Sequence, residues 1–306
     1  MTGNKVNSES LSGVLEYLGY YRQNMIVSSA RYKKICKSVK DLDGNLTTQF
    51  GFETIISNKL KRTDFSIKIE KGMLPVIINS NDGRFSYYKK LSGVLEPIKS
   101  AWFEFDIKKK SEIPGIFIEH DDPGRISDIV EILIDDKEIL NRIKEFIYNK
   151  KNIKYTGYFP SRKNNCIRLS RCIKNFDELK DEMEHGYGFV HKGMEILKEI
   201  SACIDYFVLN TDIGERVMPD FSVELRLNEI NYENMKRWDV ILDILNKHGI
   251  CENEKMNSLK DWVGEDWEMF HPVLTRYHTE RLINHLKICF KKNCLITKAY
   301  YGFINR

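Results

Sequence analysis

Cationic side chains recur on the polar faces of several predicted β-strands. Arg226 shares a face with Glu224, opposite Val223 and Leu225, because successive side chains of a strand point to opposite sides. Cations that converge from several strands could bind an anion such as diphosphate, whose charge needs several ammonium or guanidinium donors to offset it. The candidate anion ligands, with two tyrosine hydroxyls among them, are Arg168, Arg226, Lys287, Lys298, Tyr300 and Tyr158.

Aromatic and acidic side chains on these faces suggest further chemistry. Trp102 and Glu104 share one strand face, and Tyr206 begins another predicted strand. The π faces of Trp102 and Tyr206 could shield a carbocation, and Glu104 could accept a proton if burial raises its pKa. The alternative is that the charged faces simply meet water, as in many amphipathic antiparallel sheets. Both readings stay open at the level of sequence.

The segment HDDPGR, residues 120–125, contains metal-ligand residue types. His120, Asp121 and Asp122 could hold a metal ion, but Asp122 followed by Pro123 is also typical of a helix start. We favour the helix start and expect no metal site here. We also find none of the short motifs of zinc proteases, serine hydrolases or P-loop proteins.

Composition excludes several classes of protein. The 306 residues are 42% hydrophobic and 30% charged, with a net charge of +4, which is typical of a globular chain and argues against a nucleic-acid binder. The seven cysteines are an odd number without a CxxC pair, as expected of reduced thiols in a cytoplasmic protein. Neither a signal peptide nor an apolar run of membrane-spanning length is evident.

Strand-like and helical segments alternate along the chain. Aromatic and β-branched residues with a period of two, bounded by turn residues, predict β-hairpins, and apolar residues at helical spacing predict helices between them. The predicted hairpins are Phe65 to Asn79, Ala101 to His120, Ile153 to Ile173, Cys203 to Leu227 and Ile283 to Phe303. The predicted helical segments are 11–40, 52–62, 125–150, 175–201 and 229–265, the last broken near Gly249.

Five hairpins supply ten strands, and a sheet of that size must curl, split or close. Closure removes the exposed edges. We therefore predict an α+β fold in which a closed, antiparallel, ten-stranded barrel of five hairpins is ringed by helices. The chain contains no linker-like segment, so residues 1–306 are predicted to form one domain, with a helical part at 1–63 and the barrel at 64–306.

The repeating order of helix, strand, strand and helix over residues 65–303 resembles the ABBA prenyltransferases, which have a PT barrel. The closing hairpin, with Lys287 and the KAY segment Lys298 to Tyr300, is similar in style. The resemblance implies that the cations bind an allylic diphosphate and that a prenyl group passes to an aromatic or peptide acceptor in secondary-metabolite biosynthesis. It implies no obligatory cofactor, although Mg²⁺ could accompany the diphosphate. The alternative is a non-catalytic barrel that binds a ligand or peptide as a biosynthetic accessory protein.

Overall fold

The computed structural model describes residues 10–20, 26–47, 49–60, 62–107, 113–160, 166–187, 191–231, 233–266, 279–292 and 294–305. The strands in these ranges are β1 Gln49–Ile55, β2 Thr63–Glu70, β3 Ile98–Phe105, β4 Gly115–His120, β5 Ile153–Tyr158, β6 Ile167–Ile173, β7 Tyr206–Ile213, β8 Val217–Arg226, β9 Gly264–Asp266, β10 Thr279–Lys291 and β11 Cys294–Asn305. The α-helices are α1 Leu11–Tyr20, α2 Ser29–Ser38, α3 Leu74–Ile78, α4 Ile126–Leu133, α5 Lys137–Asn149, α6 Phe176–Tyr187, α7 His191–Ile200, α8 Lys236–Lys247 and α9 Asn253–Trp262.

Ten of the strands form a closed antiparallel barrel. Each strand from β1 to β7 pairs with the next, β8 pairs with β10, and β10 pairs with β11. The ring closes where β11 pairs with β1 from Gln49↔Ile304 to Ile55↔Lys298. The short strand β9 pairs with the beginning of β10 outside this ring.

The outer face of the barrel carries the hydrophobic core. In β2, Phe65 and Ile67 are buried on that face, whereas Ser66 and Lys68 lie on the inner one. Helices cover the outer face, and α4 contributes Ile129 among its buried residues. Each fully buried aliphatic or aromatic side chain stabilises the fold by roughly 1.5–3 kcal/mol. The apolar face of the strands therefore packs against the surrounding helices, and the polar face lines the inside of the barrel.

Local capping sets the ends of several helices. The region 125–150 forms two helices rather than one, because the Asp136 side chain accepts the backbone N–H groups of Glu138 and Ile139 and so begins α5. Gly249 follows α8 with a φ of 71°, a left-handed conformation that glycine adopts without a steric penalty. The predicted break near Gly249 is therefore confirmed.

Two predictions near the start of the barrel are wrong. The predicted helix over 52–62 is wrong: residues 52–55 belong to β1, whose buried side chains alternate as a strand requires, and residues 56–60 are neither helix nor strand. The predicted hairpin over Phe65 to Asn79 is a single strand, β2, followed by helical residues. The first hairpin is β1 with β2, so the barrel takes one strand from the segment predicted to be helical. The other four hairpins form where predicted.

Among the described residues, no helix combines the length and the apolar character needed to cross a membrane.

Candidate active site

The barrel encloses a cavity of about 430 Å³ lined by polar and aromatic side chains. Most of the residues predicted to bind substrate lie on its wall. The predicted residues that line it are Glu104, Arg168, Arg226, Lys287, Tyr300, Trp102 and Tyr206. The charged side chains on the wall are six cations and three carboxylates: Lys68, Lys99, Lys154, Arg168, Arg226 and Lys287, with Glu104, Glu119 and Glu224. The cavity wall therefore carries an excess of positive charge.

Glu224 on β8 is the centre of the densest charge cluster in this wall. Its side chain is 2% exposed and accepts from Arg226 Nε at 3.0 Å and Nη2 at 2.5 Å. Lys287 Nζ, from the neighbouring strand β10, lies 3.0 Å from the other carboxylate oxygen, and Asn210 Nδ2 donates to that oxygen at 3.1 Å. Burial alone would raise the pKa of Glu224, but Arg226 and Lys287 outweigh it and hold that pKa well below its usual range.

His285 lies beside this cluster in a neutral form. Burial, and then Arg226, keep its pKa well below the usual range. Arg226 Nη1 donates to Asn284 Oδ1 at 2.8 Å, so the contact of 2.7 Å between that oxygen and His285 Nδ1 requires the proton on Nδ1. His285 Nε2 is then an acceptor, and it lies 3.7 Å from Glu224. The imidazole ring stacks on Tyr300 with its centroid 4.1 Å away.

Arg168 on β6 makes a bidentate pair with Asp212 on β7. Its Nε and Nη2 atoms lie 2.7 and 2.9 Å from the two carboxylate oxygens. Burial would lower the pKa of Arg168, but Asp212 raises it above its usual value. The guanidinium also lies 5.1 Å from the ring centroid of Phe159. Arg168 is thus a fixed cation on the wall rather than a mobile one.

Lys298 lies on β11 but is not part of the cavity wall. Its ammonium group pairs with Glu53 of β1, and Tyr300 donates its hydroxyl proton to the same carboxylate. Burial alone would raise the pKa of Glu53, but Lys298 and Tyr300 hold it far below its usual range. Tyr300 lines the cavity, and its hydroxyl is held by Glu53. Both the Tyr300 hydroxyl and the Lys298 ammonium therefore already have a carboxylate partner.

Tyr158 is the predicted residue farthest from the expected arrangement. It lies on the outer face of β5, where its ring stacks on Tyr87 at 5.8 Å and the two hydroxyls are 2.7 Å apart. Its register partners on β4 and β6 are Ile116 and Ile167, which belong to the apolar layer under the helices. The structure therefore does not bring Tyr158 together with the other anion ligands.

Aromatic rings form a wall beside the cations. Tyr155 stacks on Phe117 with a centroid distance of 5.4 Å, and the Arg226 guanidinium lies 6.0 Å from the Tyr155 ring. Trp102 and Tyr206 line the same cavity. Polarisable rings next to cations and carboxylates can contact an apolar or cationic substrate group.

Several wall residues were missed by sequence reasoning. Lys99 and Lys154 both lie close to Glu119 Oε1, at 3.1 and 3.3 Å. A register shift between Ile153 and Tyr155 places Lys154 and Tyr155 together on the cavity wall. Simple alternation would have separated them, so the pattern available in the sequence misleads at this point.

The HDDPGR segment forms a helix start, as we favoured. The Asp122 side chain accepts the Gly124 N–H at 2.8 Å, and α4 follows. His120 is turned away from its neighbouring acids, with Nε2 2.7 Å from Thr156 Oγ1. Across the described ranges, no group of three or more histidine, cysteine or acidic side chains could hold a metal ion.

Solved structures share this barrel. Similar structures are 5-dimethylallyltryptophan synthase from Streptomyces coelicolor (TM-score 0.55, 10% identity, 96% of this chain and 97% of that chain) and the apo form of the prenyltransferase PriB (TM-score 0.58, 8% identity, 96% of each chain). The NotF prenyltransferase is similar too, with a TM-score of 0.56 and 8% identity over 100% of this chain and 96% of that one. No family model and no curated protein sequence matches this chain.

The architecture is the PT barrel of the ABBA-type aromatic prenyltransferases. The predicted closed ten-stranded barrel and the predicted resemblance are both confirmed. At 8–10% identity the likeness identifies the fold of this protein and leaves its substrates to be argued from its own cavity.

Proposed function

We propose that this protein transfers a prenyl group from an allylic diphosphate to an aromatic or peptide acceptor. The observation that carries the proposal is the cavity within the barrel, in which six cations and three carboxylates line the wall beside aromatic rings. Positive charge in excess suits a polyanionic donor, and the rings suit an allylic carbocation. The similar barrels described as dimethylallyltryptophan synthase and prenyltransferase support the assignment.

The reaction needs three events that the wall residues can assist. The donor's C–O bond breaks, its electron pair leaves with the diphosphate, and an allylic cation remains. The acceptor then supplies an electron pair to form the new bond, and its displaced proton passes to Glu104. Arg226 and Lys287 bind the diphosphate, and Arg168 adds a third positive charge to the wall. Trp102 and Tyr206 shield the cation from water.

Mg²⁺ could accompany such a donor, but the described wall does not form a resident magnesium site. Glu119 contacts two lysines, and Glu224 contacts Arg226 and Lys287. These carboxylates pair with lysine and arginine side chains. They do not form the set of oxygen ligands that Mg²⁺ prefers. We derive no step through a metal, and we place the reaction in the cytoplasm as part of secondary-metabolite biosynthesis.

A second candidate function is a non-catalytic barrel that binds a ligand or peptide as an accessory protein. The observation in its favour is that the predicted cations already have carboxylate partners. Arg168 pairs with Asp212, Lys298 pairs with Glu53, and Arg226 and Lys287 share Glu224. Such pairs can be retained for the uniqueness of the fold alone.

Calorimetric binding of dimethylallyl and geranyl thiolodiphosphates, which are inert donor analogues, separates the two functions. We expect the wild type to bind, and the double variant Arg226→Ala/Lys287→Ala to lose about a hundredfold or more, because two charge-assisted contacts disappear. Lys291→Ala is the matched control, since Lys291 lies on the same strand as Lys287 but pairs with the exposed Asp220. Thermal unfolding verifies that each variant is folded.

The outcomes are distinct. Absence of binding by the folded wild type would overturn the prenyl-transfer proposal. Binding without turnover of the natural allylic diphosphates, across a panel of indoles, phenols and peptides, would favour the accessory barrel. Equal affinity of the wild type and the double variant would show that Arg226 and Lys287 do not bind the donor.

A further inference from the structure

Glu224 lies between two of the cations that are proposed to hold the donor diphosphate. Its two oxygens accept from Arg226 and Lys287 on neighbouring strands, and Asn210 fixes the carboxylate from a third strand. A carboxylate at this place reduces the net charge of the cluster from two to one. Because a carboxylate repels an anion, a site selected only for the tightest anion binding would not contain one.

Arg226 and Lys287 have N–H groups that are not used in their contacts with Glu224 and Asn284. Arg226 has five N–H groups; two go to Glu224 and one goes to Asn284. Lys287 has three, of which one goes to Glu224. The remaining two N–H groups of each cation have no acceptor among the described residues, so an anion can share the cations with Glu224 without displacing it.

The charge of Glu224 persists in this setting. Its carboxylate is buried, and both partners keep its pKa far below neutrality, as described above. The burial of Arg226 alone would lower the pKa of that guanidinium, but Glu224 raises it. Both groups are therefore ionised whenever a ligand arrives at neutral pH.

We propose that Glu224 limits the anion affinity of the cavity: it orients Arg226 and Lys287, while its own charge weakens the binding of every anion and most strongly that of the most highly charged. This inference rests on the proposed donor site. A diphosphate carries more charge than a phosphate ion, so it loses more binding free energy to Glu224, which moderates the preference of the cluster for the more highly charged anion. The weakening also distinguishes donor from product, because the donor retains its apolar contacts with the aromatic wall and the free diphosphate does not.

The test compares Glu224→Gln with the wild type by calorimetry, using inorganic phosphate, inorganic diphosphate and dimethylallyl thiolodiphosphate. We expect the variant to bind all three more tightly, by about tenfold for the diphosphate, and by a smaller factor for phosphate, which carries less charge. The selectivity for diphosphate over phosphate then rises. In turnover assays, the release of diphosphate should slow, so that kcat drops while KM for the donor also drops.

Glu119→Gln is the matched control. Glu119 lines the same cavity and holds two cations, but those are Lys99 and Lys154 rather than Arg226 and Lys287. Glu119→Gln therefore measures how anion affinity changes when one negative charge is removed elsewhere on the cavity wall. We expect a change in diphosphate affinity of less than about threefold, since the side chains of Lys99 and Lys154 are 54% and 39% exposed and solvent screens their charges.

Glu224→Asp keeps the charge, and it covers the case in which the amide variant does not fold. We expect Glu224→Asp not to tighten anion binding. Weaker diphosphate binding by folded Glu224→Gln would overturn the inference, because Glu224 would then only hold the cations in place. Equal tightening by Glu119→Gln and Glu224→Gln would also overturn it. Absence of diphosphate binding by the wild type and by both variants would overturn the proposed donor site as well.

Discussion

The aromatic ring and the hydroxyl group of Tyr300 make different contacts. Its ring stacks on His285, which also lines the cavity, while its hydroxyl donates to the partly buried Glu53. Burial, and then Glu53, raise the pKa of Tyr300 well above its usual value, so the phenol stays protonated. The ring can therefore contact substrate, and the hydroxyl serves the ion pair between Glu53 and Lys298.

Substitution Tyr300→Phe tests this division. We expect the donor-analogue affinity to change by less than about threefold, because the ring remains. The free energy of unfolding should fall by about 1–3 kcal/mol, because a buried carboxylate loses one donor. Calorimetry gives the affinity, and urea denaturation gives the stability.

The matched control is Tyr158→Phe, which removes a hydroxyl on the outer face that contacts Tyr87. It should leave donor-analogue binding unchanged. A loss of affinity of more than tenfold in Tyr300→Phe would show that its hydroxyl reaches the donor, contrary to the geometry.

Strand alternation was sufficient to find Arg168, Arg226 and Lys287, because each lies in a regular stretch with apolar neighbours on either side. It placed Glu224 beside Arg226 on one strand, but it could not reveal that Asp212 pairs with Arg168 or that Glu224 also pairs with Lys287, because these partners come from neighbouring strands through the register of the barrel. It also could not find Lys154 or Asn284, which line the cavity at irregular points of β5 and β10. Bulges of this kind leave no clear signal in a single sequence.

At the scale of elements, β1 was the important error. The alternation of Phe50, Phe52 and Thr54 with polar residues is visible in the sequence, but Gly51 lowers the strand propensity of the segment and the following residues resemble a helix. The strand is stabilised by its partners: β11 on one side and β2 on the other. Tertiary pairing decided the structure here, and no local pattern contains that information.

Two glycines face each other at the seam between β1 and β11. Gly51 lies opposite Gly302 in the register. A Cβ at residue 302 would lie 1.9 Å from the carbonyl oxygen of Phe50 and 2.7 Å from the Gly51 Cα, whereas one at residue 51 would come no closer than 3.4 Å to a side-chain atom, Ser66 Oγ. The backbones therefore approach closely on one side of this pair only.

We expect Gly302→Ala to lower the free energy of unfolding by more than about 3 kcal/mol, because backbone atoms at the seam must move apart. Gly51→Ala is the control, and it should change stability by less than about 1 kcal/mol. Urea denaturation of the two variants measures the difference. Similar stability of both variants would contradict the close approach of the two strands.

At the scale of the whole molecule, the count of hairpins was more informative than the position of any one of them. Five hairpins implied ten strands and hence closure, even though the first hairpin was misplaced. Closure also bears on whether the charged strand faces meet solvent or line an interior. Because the sheet closes on itself and helices cover its apolar outer face, the charged inner face surrounds a cavity, where Arg226 and Lys287 pair with Glu224.

Hydrogen exchange tests closure directly. In a closed barrel β1 and β11 have hydrogen-bonded neighbours on both sides, so we expect their amides to exchange about as slowly as those of β5 and β6. The short strand β9, paired at the beginning of β10 outside the ring, should exchange faster and serves as the internal reference. Fast exchange confined to β1 and β11 would mean that the seam opens in solution. The charged faces would then be solvated, and the argument for an enclosed donor site would fail with them.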